Sequence, residues 1–342
     1  NMSRLKVDNI ETRSGNNVSM DDPLKLKSYT TTQRDALTSV AGDMIYNTTT
    51  SKVEAYTGSD WTQLGGLDLK AIDYLVIAGG GGGSKTNSYG GSGGGAGGYR
   101  TSYNSETSGG GASAETPYYI STGTNYVITV GGGGSTTADG NSSQFGQVVS
   151  VYGGRGINHP SDHGRHGGNG GSGGGSTSGQ AYGVLGQGSN GGASPQGGGG
   201  GAGAVGTSGG AYGTSEQGGN GGNGLASTIT GSSVTRAGGG GASTLRTSAS
   251  GSAGSGGSGG GGNGSKNGTA GSGTANTGSG GGGSVGSSGT AGTGGSGFVA
   301  LSYPSTLSIT VGAGLTTGVS ETTDGSRKYI TFTGGTGNVS WS

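Results

Sequence analysis

The sequence predicts a mainly β and irregular fold. An N-terminal β module that oligomerises is followed by a polyglycine-II helix bundle on a small β base, with almost no α-helix. Three observations lead there. Glycine supplies 94 of the 342 residues, about four times its share in an ordinary globular protein. Apolar residues make up only 26% and charged residues 10%, too little to wrap a conventional core around a chain of this length. Apolar β-type segments close the glycine block at both ends, "YLVIAGGGGG" from Tyr74 and "GGSGFVALSY" up to Tyr303, so the two ends must meet.

The same arithmetic excludes other classes. Five prolines and no strict Gly-x-y period exclude collagen. Disorder normally comes with high net charge, and here 17 basic residues cancel 17 acidic ones. That neutrality argues against nucleic acid as a partner. With no run of 18 apolar residues, no membrane insertion is expected. The absence of cysteine removes disulfides, thiol catalysis and Cys-type zinc sites. No signal peptide is visible behind Asn1 and Met2, which suggests a fragment or a protein released by lysis.

Glycine and charge divide the chain. Residues 1–78 hold five glycines, 79–297 hold 82 and 298–342 hold seven, while 1–78 carry eight basic and ten acidic side chains against seven and five in the middle block. The expected domains are an attachment and oligomerisation module at 1–70, a glycine-rich domain with its β base at 71–303, and a C-terminal β tail at 304–342.

Each element follows from its residues. Thr31 to Leu37 starts a short helix behind a threonine cap. Met44–Tyr46 and Lys52–Tyr56 form a hairpin around a polar turn, and Trp61 follows a Gly-Ser-Asp turn. Seventy residues with so few large apolar side chains need partner chains, so a homotrimer is expected, with Ile45, Tyr46, Tyr56 and Trp61 at its interface. Beyond it, strands are expected from Asp73 and at Pro117–Ile120, Tyr126–Val130, Gln147–Tyr152, Phe298–Tyr303, Leu307–Val311 and Lys328–Thr333, giving a base of about six strands.

About ten glycine tracts lie between the strands, among them 79–83, 90–98, 167–175, 197–203 and 254–264. An α-helix is excluded, since each glycine costs roughly 1 kcal/mol against alanine. A left-handed helix of three residues per turn points its N–H and C=O groups radially, so parallel and antiparallel copies can bond side by side wherever only glycine intervenes. Gly94, Gly200 and Gly260 are the mid-tract positions expected at such contacts. The competing reading is a flexible Gly/Ser linker. Similar tract lengths and chemically distinct loops between the tracts favour the bundle.

"IDYLVIAGGGGG", "GGGAGGY", "NYVITVGGGG" followed by "NSSQFG", and "GGSGFVALSYP" resemble the glycine-rich domain of bacteriophage tail-fibre and tail-tip adhesins. "LKVDNIETRSG" and "TTQRDALTSVAGDMIYNTTTSKVEAYTGSDWTQL" resemble modules of phage fibres, and the hairpin before Trp61 is similar in pattern to a small phage trimerisation domain. The resemblance implies a virion protein that joins other tail proteins through its N-terminal module. Its glycine domain would then meet a host surface polysaccharide or outer-membrane protein.

Signs of chemistry are sparse, and an enzyme is not expected. GxGxxG matches in the tracts open no helix after a strand, and the carboxylates Glu106, Glu115, Asp139, Asp162 and Glu216 are scattered singly. All three histidines, His159, His163 and His166, lie in "NHPSDHGRH" with Asp162 and Arg165. The segment reads as a receptor contact, a divalent-metal site or a plain solvated loop; its spacing matches no standard zinc pattern, so no metal or other cofactor is assigned. Loops rich in Tyr, Ser, Gly and Asn carry Tyr89, Tyr99, Tyr103, Tyr182 and Tyr212, which either stack on sugars or cover the bundle's flanks. Recognition is expected at the bundle end away from the strands. A purely structural fibre or decoration protein is the alternative reading.

Overall fold

The computed structural model describes residues 26–64, 69–157, 166–193, 195–211, 216–247 and 250–342, in two compact units, Asn1–Asp68 and Leu69–Ser342. In the first, β1 (Ser28–Tyr29) lies parallel to β2 (Met44–Asn47), and β3 (Lys52–Tyr56) and β4 (Trp61–Leu64) extend the sheet antiparallel. Helix α1 (Thr31–Asp35) starts on a capping box. Thr30 Oγ1 accepts from the Gln33 N–H at 3.3 Å, and Gln33 Oε1 accepts from the Thr30 N–H at 2.9 Å.

The two faces of this sheet differ. On one, Ile45 and Glu54 are buried, and the Glu54 carboxylate accepts from Arg34 Nη1 at 2.9 Å and from the Asn47 amide at 3.0 Å. Burial pushes the Glu54 carboxyl up, but its bonds from Arg34, Asn47 and Thr50 outweigh that and hold it below the usual carboxylate range. Tyr56 and Trp61 sit opposite each other on this same face, ring centroids 5.4 Å apart. The other face carries Tyr46, Val53 and Leu64 in one cross-strand row, with Met44, Ala55 and Thr62 in the next, and Met44, Tyr46 and Leu64 are 44%, 37% and 42% exposed. Ile45, expected at an interface between copies, is already covered within its own protomer.

The second unit is built on β5 (Lys70–Ile77), β6 (Lys85–Thr86), β7 (Tyr99–Thr101), β8 (Tyr118–Ile120), β9 (Tyr126–Val130), β10 (Ser143–Phe145), β11 (Val148–Ser150), β12 (Leu225–Ser227), β13 (Val234–Arg236), β14 (Ser265–Lys266), β15 (Ser284–Val285), β16 (Phe298–Pro304), β17 (Ile309–Val311), β18 (Leu315–Thr317), β19 (Thr322–Asp324) and β20 (Arg327–Trp341). The main sheet runs β11-β10-β9-β20-β16-β5-β7, with β8 on β5 and with β17, β18 and β19 on β20. Eleven strands thus replace the expected six. The last 39 residues are no appendage, because β20 lies between β9 and β16 at the centre of this sheet.

The run "YLVIA" is apolar without alternation because β5 is covered on both faces. Ile72, Tyr74 and Val76 enter a core with Phe145, Leu301, Phe332 and Trp341. Leu75 and Ile77 face the opposite way, toward Tyr99, Ala202, Ile229, Ala237 and Phe298. In the first core Trp341 packs against Tyr126, Phe145 and Tyr303 at centroid distances of 6.1, 6.2 and 5.8 Å.

From β5 the chain enters its first glycine tract, whose hydrogen bonds repeat every three residues. The N–H groups of Gly79 and Gly82 donate to Asn141 and Ala138, those of Gly80 and Gly83 to Gly295 and Gly292, and those of Gly81 and Ser84 to Gly95 and Ser92. All three acceptor segments run antiparallel to the tract. Its carbonyls accept from three parallel segments: Gly153 and Gly156 on Gly79 and Gly82, Gly134 and Thr137 on Gly80 and Gly83, Gly281 and Ser284 on Gly81 and Ser84. Six neighbours around a helix of three residues per turn make a hexagonal lattice. The tract 91–98 repeats the rule, donating to Gly197 and Gly200, to Gly281 and Gly278, and to Gly154 and Val151.

With one bond donated and one accepted by each residue, the lattice holds one bond per residue, worth about 1 kcal/mol net; against a backbone ordering cost of about 1–2 kcal/mol per residue, it leaves no room for an unpaired amide. Asparagine completes the lattice where it borders solvent. Asn220 and Asn223, three residues apart, accept through Oδ1 from the N–H groups of Ser255 and Ser258 at 2.8 and 3.0 Å. Residues 254–264, read as one tract, are two, because Ser258–Gly260 is a turn in which Gly259 and Gly260 have φ of 94° and 102°.

Candidate functional site

Six lattice residues from Gly79 to Ser84 carry the chain about 19 Å from the sheet at roughly 3.1 Å per residue. There the parallel pieces β14, β15 and β6 tie three tract ends together. The segments 86–90, 176–180 and 286–290 lie at this far end, where recognition is expected.

The predicted site residues separate. Tyr89 lies at the far end, 41% exposed. Tyr99 is fully buried: it sits in β7 opposite Ile77, in the core under the bundle, so its ring is not available to a ligand. A glycine tract in front of "YRT" suggests a loop, but the lattice ends one residue earlier and the strand begins at Tyr99. Tyr103 starts a 3-10 turn at the sheet end and packs against that same core, so it lies at the wrong end for the expected surface. His159, His163, Arg165 and Tyr212 lie outside the described residues. Among the described residues no group of three or more His, Asp or Glu side chains is placed to hold a metal ion.

His166 and Tyr182 are brought together. They line a cleft of about 370 Å³ on the flank of the bundle with Asp139, Tyr152, Arg155, Asn169 and Gln180, a volume at the small end for ligand pockets. The lattice assembles it. Gly140 donates to Gly153, and Gly168 and Gly171 donate to Arg155 and Tyr152, which places the segments 138–141, 152–156 and 167–171 side by side.

The Asp139 carboxylate accepts from both the Arg155 backbone N–H and its Nη1, each at 2.8 Å. The pair is half exposed and so adds little stability, about 0–1 kcal/mol. What it does is hold the guanidinium at the cleft. His166 Nδ1 lies 2.8 Å from the Ser178 carbonyl, which only accepts. Nδ1 therefore carries the hydrogen, and Nε2 of the neutral ring is an acceptor. Asn169 Oδ1 is occupied by the Tyr182 N–H at 2.8 Å, so its amide hydrogens are the groups left to donate. Tyr152 and Tyr182 are 37% and 58% exposed. Flat amphipathic rings beside closely spaced donors and acceptors suit a polyhydroxylated ring. Asp139, Tyr152, Arg155, Asn169 and Gln180 escape sequence reading, because only the lattice register makes them neighbours.

A glycine helix lattice on a twofold-covered β-sheet, with side-chain chemistry confined to its flank and loops, defines a glycine-rich scaffold class. A family model described as a glycine-rich domain matches residues 49–304, about three quarters of the chain, and the chain belongs to that family. No curated protein and no solved structure matches it.

Proposed function

We propose that the chain is a bacteriophage tail-fibre adhesin that attaches the virion to a host surface polysaccharide. The observation that carries this reading is the flank cleft, where Tyr152, Tyr182, Arg155, His166 and Asn169 gather on a scaffold whose tracts otherwise present backbone. The role is one of binding rather than catalysis, multiplied by several copies per fibre. Tyr182→Ala and Arg155→Ala are each expected to weaken adsorption to host cells, and binding to surface polysaccharide, by about tenfold, the effect of losing one well-placed contact. Unchanged adsorption in both variants with wild-type melting would remove the cleft from recognition. Failure of the intact protein to bind cells at all would leave a purely structural fibre.

The N-terminal unit is proposed to associate with two further copies and with other tail proteins. Among its described residues only Ile45 is a buried apolar side chain, too little to hold about 40 residues folded alone. Its open face, with Met44, Tyr46, Val53 and Leu64, supplies the missing apolar area, and a copy of the same face matches its chemistry. Light scattering of the full chain at micromolar concentration is expected to give the mass of three copies, and Tyr46→Asp with Leu64→Asp that of one. A monomeric wild-type chain refutes the trimer.

A further inference from the structure

We propose that Asn267 is a built-in deamidation site, the one Asn–Gly pair of this chain that the lattice leaves chemically open. Six Asn–Gly pairs occur, at Asn169, Asn190, Asn220, Asn223, Asn263 and Asn267. Asn–Gly is the dipeptide most prone to cyclise, because the following residue has no Cβ to hinder attack by its backbone nitrogen on the asparagine Cγ. The attack needs two freedoms: a backbone N–H not already engaged, and a side-chain amide that can turn toward it.

Five of the six pairs lack both freedoms. Asn169, Asn190, Asn220, Asn223 and Asn263 each accept a backbone N–H through Oδ1, from Tyr182, Gly183, Ser255, Ser258 and Gly256, at 2.8 to 3.0 Å. The glycine after each also donates its own N–H to a carbonyl: Gly170 to Tyr182, Gly191 to Ala181, Gly221 to Ser255, Gly224 to Ser258 and Gly264 to Gly254. Cyclisation there requires breaking both bonds and distorting neighbouring tracts.

Asn267 differs on every count. It lies in the far-end loop after β14, exposed, with φ of 60°. Neither its side chain nor the Gly268 N–H has a hydrogen-bond partner among the described residues. The step is closed in its atoms. The Gly268 nitrogen, losing its proton to solvent base, forms a bond to Asn267 Cγ, and the side-chain nitrogen leaves as ammonia to give a succinimide. One water then opens the ring at either carbonyl, yielding aspartate or isoaspartate.

The consequence is local and directional. Each event adds one negative charge to the far end. The isoaspartate product also inserts a backbone methylene between two anchored groups, the Asn267 N–H bonded to Val285 at 2.8 Å and the Gly268 carbonyl that accepts from Ser284 Oγ at 2.8 Å. Ageing would therefore loosen the junction of β14 with β15 and leave the interior lattice intact.

The test is peptide mapping of the full chain, held in warm, mildly alkaline buffer and sampled over time. Native protein is expected to convert Asn267 about tenfold or more faster than any of the other five asparagines, and chain unfolded in denaturant to convert all six at similar rates. Gly268→Ala, whose Cβ would meet only the Ser265 hydroxyl at 3.1 Å, is expected to suppress conversion while keeping wild-type melting. Native protein that deamidates Asn220 or Asn223 as fast as Asn267, or that leaves Asn267 intact while the unfolded chain converts it, overturns the proposal.

Discussion

Gly94→Val is expected to abolish the folded glycine domain, a loss above about 4–5 kcal/mol, the range reserved for disrupted interiors. The Gly94 N–H donates to Gly281, and its carbonyl accepts from Gly240. A Cβ there would fall well inside van der Waals contact with the Gly81 carbonyl, which itself accepts from Gly281. The side chain therefore cannot be accommodated without breaking bonds among three tracts at once. Gly200→Val acts the same way against the Ser189 carbonyl. Gly260→Val is expected to be harmful for another reason, the positive φ of its turn. Gly132→Ala is the matched control. Its Cβ would meet nothing closer than Asn141 Nδ2 at 3.7 Å, so it is expected to stay within about 1 kcal/mol of wild type. Calorimetry of the set decides: wild-type melting of Gly94→Val and Gly200→Val would sink the packed lattice.

Ending the chain after Pro304 is expected to prevent folding of the whole second unit. The truncation removes β20 from between β9 and β16 and takes Ile330, Phe332, Val339 and Trp341 out of the core. Four such side chains at about 2 kcal/mol each approach the whole net stability of a domain, about 5–15 kcal/mol. Two long unpaired strand edges remain, and such edges invite aggregation. Trp341→Ala alone is expected to cost about 3–5 kcal/mol. A soluble truncated chain with a cooperative melting transition would show that the last strand is dispensable.

What could be read from the sequence was what side chains encode. Tyr126–Val130 is found to the residue, because apolar and polar positions alternate between clear glycine boundaries. The helix start behind a threonine cap and the apolar strand that opens the glycine domain were equally open to reading. β20 was readable only to Thr333, because "GGTGN" looks like a loop. The strand nevertheless runs on through Gly334 to Gly337, paired with β9 on one side and β18 on the other. Backbone pairing decides that stretch, and backbone pairing leaves no mark on composition. The cleft was hidden for the same reason. Asp139 and Arg155 are 16 residues apart and meet because Gly140 bonds to Gly153, a register that no side chain announces. Asparagine within the tracts was the one available signal. Its spacing of three at Asn220 and Asn223 matches the lattice period and marks a tract that borders solvent.

That period also sets which changes of length the scaffold tolerates. One residue inserted in a tract would turn every later N–H by a third of a turn, aiming each at the wrong neighbour, as a frameshift misreads every later codon. An insertion of three restores the directions beyond it, at the cost of displacing the chain by one full turn along its neighbours. Insertions inside the turns at 87–89 or 287–289 fall beyond the pairing at Thr86, Gly286 and Thr290 and leave the tract registers in place. The bundle therefore behaves as a punctuated text: its tracts accept edits only in triplets and in step with their neighbours, while the punctuation between them can be rewritten freely. Variation in a lineage of such chains would collect in these turns, without selection having to protect the frame separately.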